Sequence, residues 1–98
     1  MTIETFENGS CLTVTPIGRV DSVASDELQA VLEKQFTPDR DQLILDFAQV
    51  DYISSKGLRV LVSVYKALGG RKMEIVHANA SVTEVLRISG MLHYFVLK

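Results

Sequence analysis

Residues 43–70, LILDFAQVDYISSKGLRVLVSVYKALGG, carry the pattern that decides the fold. The segment begins with LILDFAQV, residues 43–50, whose nearly continuous apolar run is typical of a buried strand. It ends with apolar residues at helical spacing, followed by two glycines that suit a helix C-terminus and turn. Two serines, Ser54 and Ser55, stand at the junction. A strand that gives way to a helix here predicts one unit of an α/β domain.

The predicted helix has a wide apolar face. At about 100° per residue, its apolar side chains cover an arc of roughly 220°. Only Arg59, Ser63 and Lys66 are left to face water. Two interpretations remain open: the helix is flanked by both neighbouring helices, or a strip of apolar surface around Val62 is kept for a partner protein.

The two serines also allow two interpretations. A serine hydroxyl can cap the helix by accepting a hydrogen bond from a free amide of the first turn. Capping explains one serine and not two. A hydroxyl at this position is also a favourable place for a phosphate, because free amides and the helix dipole favour an anion.

The segments that precede residue 43 predict a hairpin and a helix. TIETFE and CLTVTPIG alternate apolar and polar residues around the turn signal NGS, which is typical of a β-hairpin. An amphipathic helix follows within VDSVASDELQAVLEKQF, with Asp21 or Ser22 as its N-cap.

The segments that follow residue 70 continue the alternation of strands and helices. They predict a strand at KMEIVHA, a helix capped by Asn79 or Ser81 at NASVTEVLRISG, and a last strand at YFVL. The predicted order is β-β-α-β-α-β-α-β. We therefore expect one α/β domain over residues 1–98, with a mixed sheet that is mostly parallel in its later strands and is covered by helices.

Composition excludes several classes of protein. The chain has 98 residues, 47% of them hydrophobic, and a formal charge of −2, so we expect an ordinary globular domain that does not bind nucleic acid. The single cysteine, Cys11, cannot form an internal disulfide and is expected in the core. No signal peptide or membrane span is indicated, which predicts a cytoplasmic protein without membrane insertion.

No sequence pattern indicates a metal or catalytic site. His77 and His93 lack the spacing of a zinc site, and Asp21, Asp46 and Asp51 are more simply explained as caps and loop carboxylates than as a metal or acid–base cluster. The S-x-x-K match at residues 63–66 lacks the other motifs of acyl-transfer chemistry. We therefore expect neither a catalytic residue nor a cofactor.

Three segments of the chain carry a family resemblance: IGRVD, residues 43–66 and MEIVHANASVTEVLRISGMLHYF. Taken together, they resemble the STAS domain of bacterial anti-sigma-factor antagonists over nearly the whole chain. The resemblance implies a small β-sheet with helices on one side and a phosphorylated serine at the start of the second helix. That position is taken by Ser55, and Gly57 and Leu58 match the family pattern. Ser54 stands where an aspartate is common, and Lys56 replaces a small residue.

The resemblance also implies a function. The unmodified protein would bind an anti-sigma factor that is also a serine kinase, and so release the sigma factor. Phosphorylation of Ser55 would end the interaction, and a PPM-type phosphatase would restore it, so the chain would be a substrate and not an enzyme. By resemblance, Asp21 matches a loop aspartate that neighbours the serine in members of the family. The expected contacts with the partner are Asp21, Ser54, Lys56, Gly57, Arg59 and Val62.

An alternative remains open in which the chain is a STAS assembly subunit of a transporter or stress-sensing complex, without serine switching. The chain ends at YFVLK, where many members of the family continue into one more helix. This departure predicts an exposed hydrophobic edge, a dimer contact or a minimal variant. The sequence does not indicate the oligomeric state.

Overall fold

The computed structural model describes residues 1–91 and 96–98 of the chain. Their strands and helices are β1 Thr2–Asn8, β2 Cys11–Val20, α1 Ser22–Gln35, β3 Gln42–Asp46, β4 Val50–Ile53, α2 Ser55–Ala67, β5 Lys72–Val76, α3 Ala80–Ile88 and β6 Val96–Leu97. Of the predicted last strand, Val96 and Leu97 form β6, whereas Tyr94 and Phe95 lie outside the described residues, as does His93.

The sheet has the expected mixed character. Its strands follow the order β1-β2-β3-β5-β6, and β4 pairs with β2 beside this path. β1 and β2 form the predicted antiparallel hairpin, and every other pairing is parallel. The NGS turn closes the hairpin at Asn8 and Cys11, with Gly9 in the left-handed region at φ 62°.

The helices cover one face of this sheet. Along β2, β3 and β5, alternate side chains are buried, and the register places the buried ones side by side. One such row is Leu12, Leu43 and Met73. These side chains form one core with buried residues of all three helices, such as Leu28 of α1, Leu61 of α2 and Leu86 of α3. The expected one-sided α/β architecture is confirmed.

The structure contains a strand that the sequence pattern did not predict. We expected residues 43–50 to run as one strand, but β3 ends at Asp46 and a turn follows, in which the amide of Val50 donates to the carbonyl of Phe47 at 3.0 Å. The carboxylate of Asp46 accepts from the amide of Ala48 at 3.0 Å and stabilises this turn. The chain then forms β4, so the order is β-β-α-β-β-α-β-α-β.

Besides its antiparallel partner β1, the long strand β2 has two parallel partners. Its first half pairs with β3 and its last residues, Gly18 to Val20, pair with β4. The register shifts between Gly18 and Arg19, and Gly18 has φ 110°, a value that favours glycine. Because of this arrangement, β2 and β4 end at the same edge, and the helices that follow them begin there together.

Candidate functional site

The N-termini of α1 and α2 lie side by side. Val20 is the last residue of β2 and is the register partner of Ile53, the last residue of β4. The amide of Ser54 donates to the carbonyl of Val20 at 2.8 Å. Asp21 follows Val20 and Ser54 follows Ile53, so these two residues are brought together.

Two side chains cap these helices. The carboxylate of Asp21 accepts a hydrogen bond from the amide of Ala24 at 2.9 Å, so Asp21 and not Ser22 is the N-cap of α1. The hydroxyl of Ser54 accepts from the amide of Gly57 at 3.1 Å, so Ser54 is the N-cap of α2. Capping thus occupies one serine of the pair.

Ser55 is left exposed at the first position of α2. Within residues 1–91 and 96–98, its hydroxyl makes no hydrogen bond to another residue. Chemically, an exposed hydroxyl without an internal partner can receive a phosphoryl group from another protein, and the start of a helix tolerates the resulting charge. Ser54 is half-buried and already engaged, so it is less suited to that reaction.

A buried serine that the sequence reading missed connects the two caps. Ser25 is the buried polar residue of the described chain, with no exposed surface. Its hydroxyl donates to the carbonyl of Asp21 at 2.6 Å and lies 3.4 Å from the hydroxyl of Ser54. Only the fold brings Ser25 to Ser54, 29 residues away, so no local sequence signal could have identified it.

Gly57 is buried in the structure, unlike the other residues predicted to contact the partner. A Cβ atom at residue 57 would lie 2.8 Å from Cγ1 of Ile53, 3.0 Å from Cγ1 of Val20 and 3.2 Å from Oγ of Ser25. The missing side chain therefore allows α2 to begin directly against the ends of β2 and β4. This close approach sets the position of Ser54 and Ser55.

Two contacts between charged or aromatic side chains lie near the serine pair in the chain, one between α1 and α2 and one between β2 and β4. The ammonium of Lys56 lies 2.8 Å from a carboxylate oxygen of Asp26, which connects the first turn of α2 to the second turn of α1. The guanidinium of Arg19 stacks over the ring of Tyr52, with 4.3 Å between its carbon and the ring centroid. The sequence reading assigned no role to Asp26 in this pair, nor to Arg19 and Tyr52.

The remaining predicted contacts lie further along α2. Arg59 is exposed and, with Lys56, lines a depression of about 250 Å³ between α1 and α2. Val62 is half-buried and does not belong to the hydrophobic core, whereas Leu61 beside it is fully buried. This placement is consistent with apolar surface at Val62.

The described residues offer no metal site, since no group of three or more histidine, cysteine or acidic side chains occurs among them. Asp46 instead binds Nδ1 of His77 at 3.1 Å, and Asp21 caps α1. None of the helices in the described part of the chain has the length and apolar character needed to cross a bilayer.

Comparisons with known proteins agree with this architecture. A family model described as STAS domain matches residues 2–98. The curated protein BtrV of Bordetella bronchiseptica, named provisionally as an anti-sigma factor antagonist, is 39% identical over 80 residues, which cover 80% of this chain and 69% of BtrV.

Solved structures share the fold. An anti-sigma factor antagonist from Mycobacterium paratuberculosis superposes with a TM-score of 0.90 at 21% identity, covering 98% of this chain and 83% of that one. SpoIIAA of Bacillus in its phosphorylated form gives a TM-score of 0.77 at 13% identity, covering 99% of this chain and 91% of that one. On the match of the family model across the chain and the identity to BtrV, this protein belongs to the STAS domain family.

Proposed function

We propose that this chain is an anti-sigma factor antagonist whose affinity for its partner is switched by phosphorylation of Ser55. The observation that carries the proposal is the division of roles between the two serines. Ser54 accepts the capping hydrogen bond, whereas Ser55, one residue on, is exposed and makes no internal hydrogen bond within the described chain. Helix capping therefore does not account for Ser55.

The relatives support this function. BtrV carries the name of an anti-sigma factor antagonist at 39% identity. SpoIIAA, which shares the fold, has structures in both an unphosphorylated and a phosphorylated form. In the proposed cycle, the unmodified chain binds an anti-sigma factor that is a serine kinase, the kinase phosphorylates Ser55, and a PPM-type phosphatase removes the phosphate. The chain acts in the cytoplasm as a binding protein and not as an enzyme.

Electrostatics explains how one phosphate can end the interaction. A phosphoserine carries close to two negative charges at neutral pH. On Ser55 these charges would lie at the surface formed by the starts of α1 and α2, next to the exposed Asp21. A partner that covers this surface would have to remove water from the dianion, which is costly unless the partner supplies its own cations.

Affinity capture tests the proposal. The wild-type chain and Ser55→Asp are immobilised side by side and exposed to lysate of the source organism with Mg-ADP, and bound proteins are identified by mass spectrometry. Ser55→Ala is the matched control, because it removes the hydroxyl without adding charge. We expect wild type and Ser55→Ala to retain a small serine kinase that Ser55→Asp does not retain.

The opposite pattern would favour the scaffold alternative. If all three forms retain the same transporter or stress-complex component and no kinase, the charge at residue 55 has no effect on binding. The chain would then be an assembly subunit, and the proposed switch at Ser55 would be wrong.

A further inference from the structure

Two cationic side chains accompany Ser55 at the start of α2, and they differ in what they bind. Lys56 is the next residue and is bound to Asp26. Arg59 follows Ser55 by four residues, a spacing that places two side chains on the same side of a helix, one turn apart. Within the described chain, Arg59 is exposed and forms no ion pair.

The bond between Lys56 and Asp26 is exchangeable. The ammonium of Lys56 lies 2.8 and 2.9 Å from the two carboxylate oxygens of Asp26. Both side chains nevertheless reach water, with 38% of the Lys56 side chain and 63% of the Asp26 side chain exposed. Exposed pairs of this kind are weak. A dianionic group with three acceptor oxygens is a stronger partner for an ammonium than a single exposed carboxylate.

We propose that the phosphate on Ser55 is bound within the chain by the side chains of Lys56 and Arg59, and that Lys56 exchanges Asp26 for the phosphate. The inference rests on the proposed function, since it concerns the phosphorylated form of Ser55. First-turn amides favour an anion at the start of any helix. The proposed binding of the phosphate therefore depends on the cationic side chains of Lys56 and Arg59. Lys56 stands where the family pattern has a small residue.

Two consequences follow for the switch. In the unmodified chain, Arg59 is free to bind an acidic group of the partner, beside the depression that it lines with Lys56. In the phosphorylated chain, both cations bind the phosphate, and the connection between Lys56 and Asp26 that joins α1 to α2 is lost. Phosphorylation thus adds negative charge to the surface and also withdraws the positive charge from it.

The pKa of the phosphate measures this binding directly. Phosphoserine is placed at residue 55 during translation, so that no kinase is needed, and its second pKa is followed by phosphorus NMR titration at low ionic strength. Cations close to the phosphate favour its dianion and lower this pKa. We expect Arg59→Ala and Lys56→Ala each to raise the pKa by about 0.2–0.4 of a unit relative to the otherwise unchanged phosphorylated chain.

Lys66→Ala is the matched control, because it removes one exposed positive charge from the far end of the same helix. If Arg59→Ala and Lys56→Ala raise the pKa no more than Lys66→Ala does, the inference is wrong. A circular dichroism spectrum of each variant confirms that the fold is retained.

The result is independent of the capture experiment. A raised pKa in both variants together with no kinase captured would support binding of the phosphate and contradict the switch. A captured kinase together with unchanged pKa values would support the switch and contradict the role of Lys56 and Arg59.

Discussion

Gly57 is the residue on which the start of α2 depends most directly. A Cβ there would lie 2.8 Å from Cγ1 of Ile53 and 3.0 Å from Cγ1 of Val20, so that the side chain of Ile53 or the helix would have to shift. We expect Gly57→Ala to lower the free energy of unfolding by about 1–3 kcal/mol, the usual cost of overpacking. Urea unfolding followed by circular dichroism measures this change.

Ser63→Ala serves as the control for Gly57, because Ser63 is exposed on the same helix and alanine is the better helix former. That variant should be neutral or slightly stabilising. A Gly57→Ala variant as stable as Ser63→Ala would show that no close approach limits residue 57.

The two serines should differ in their contribution to stability. Ser54→Ala removes the acceptor for the amide of Gly57, so we expect a loss of about 0.5–2 kcal/mol in the free energy of unfolding. Ser54→Asp restores a capping side chain and should recover most of that loss. Ser55→Ala, at an exposed position, should change stability by less than about 0.5 kcal/mol.

Thermal or urea unfolding of the three serine variants gives the comparison. Equal losses for Ser54→Ala and Ser55→Ala would contradict the assignment of Ser54 as the sole capping serine.

The local sequence pattern predicted where the N-caps of α1 and α2 lie, but it left two candidate residues for each cap. Asp21 and Ser22, like Ser54 and Ser55, are adjacent pairs in which either residue has the chemistry of an N-cap. The backbone conformation decides between them, and it depends on where β2 and β4 end. Ser25 could not be identified for the same reason, since its contact with Ser54 exists only in the folded chain.

Helix α2 shows which part of a wide apolar face belongs to the core. Leu61 is fully buried, whereas Val62 is half-buried and lies outside the core. We expect Val62→Ala to cost less than about 1 kcal/mol and Leu61→Ala to cost about 2–5 kcal/mol in unfolding free energy, because only the second leaves a buried cavity. A cost above about 2 kcal/mol for Val62→Ala would assign that side chain to the core and remove it from the proposed partner surface.

The carboxylate of Asp46 joins the ends of β3 and β5 and should affect stability at acid pH. Its partial burial alone would raise the pKa, but hydrogen bonds from the amide of Ala48 and from His77 outweigh burial, so the pKa lies below its usual 3.8. A lowered pKa in the folded state stabilises the fold above the unfolded pKa, and this stabilisation is lost as the pH falls through the folded pKa.

The stability difference between wild type and Asp46→Asn should therefore be smaller below about pH 4 than at about pH 5. Urea midpoints for both proteins across this range provide the measurement. A difference that does not change with pH would contradict the role of the Asp46 carboxylate.

Strand β4 is an element that the sequence pattern did not predict. Residues 43–53 contain enough apolar residues for one strand, and no glycine or proline marks a turn. The turn depends on the bond between Asp46 and the amide of Ala48, a local contact that the apolar pattern conceals. The helices had clearer signals, because their caps and periodicity are local.

The whole molecule could be predicted in its class but not in its strand order. Alternating strands and helices indicated an α/β domain, and local patterns are sufficient for that conclusion. That β2 pairs with both β3 and β4 is a long-range property, and it brings the starts of α1 and α2 together. From the sequence alone, the proximity of Asp21 to the serine pair came from family resemblance and not from the residues themselves.

Control of binding by Ser55 is measured by comparing two affinities of the captured kinase. One is its affinity for the unmodified chain, and the other is its affinity for the chain that carries phosphoserine at residue 55. Isothermal titration calorimetry with Mg-ADP present measures both dissociation constants. We expect phosphorylation to weaken binding by about 30-fold or more, which corresponds to leaving a charge poorly paired in an interface. Equal dissociation constants for the two forms would contradict the account, because Ser55 would then not control the interaction.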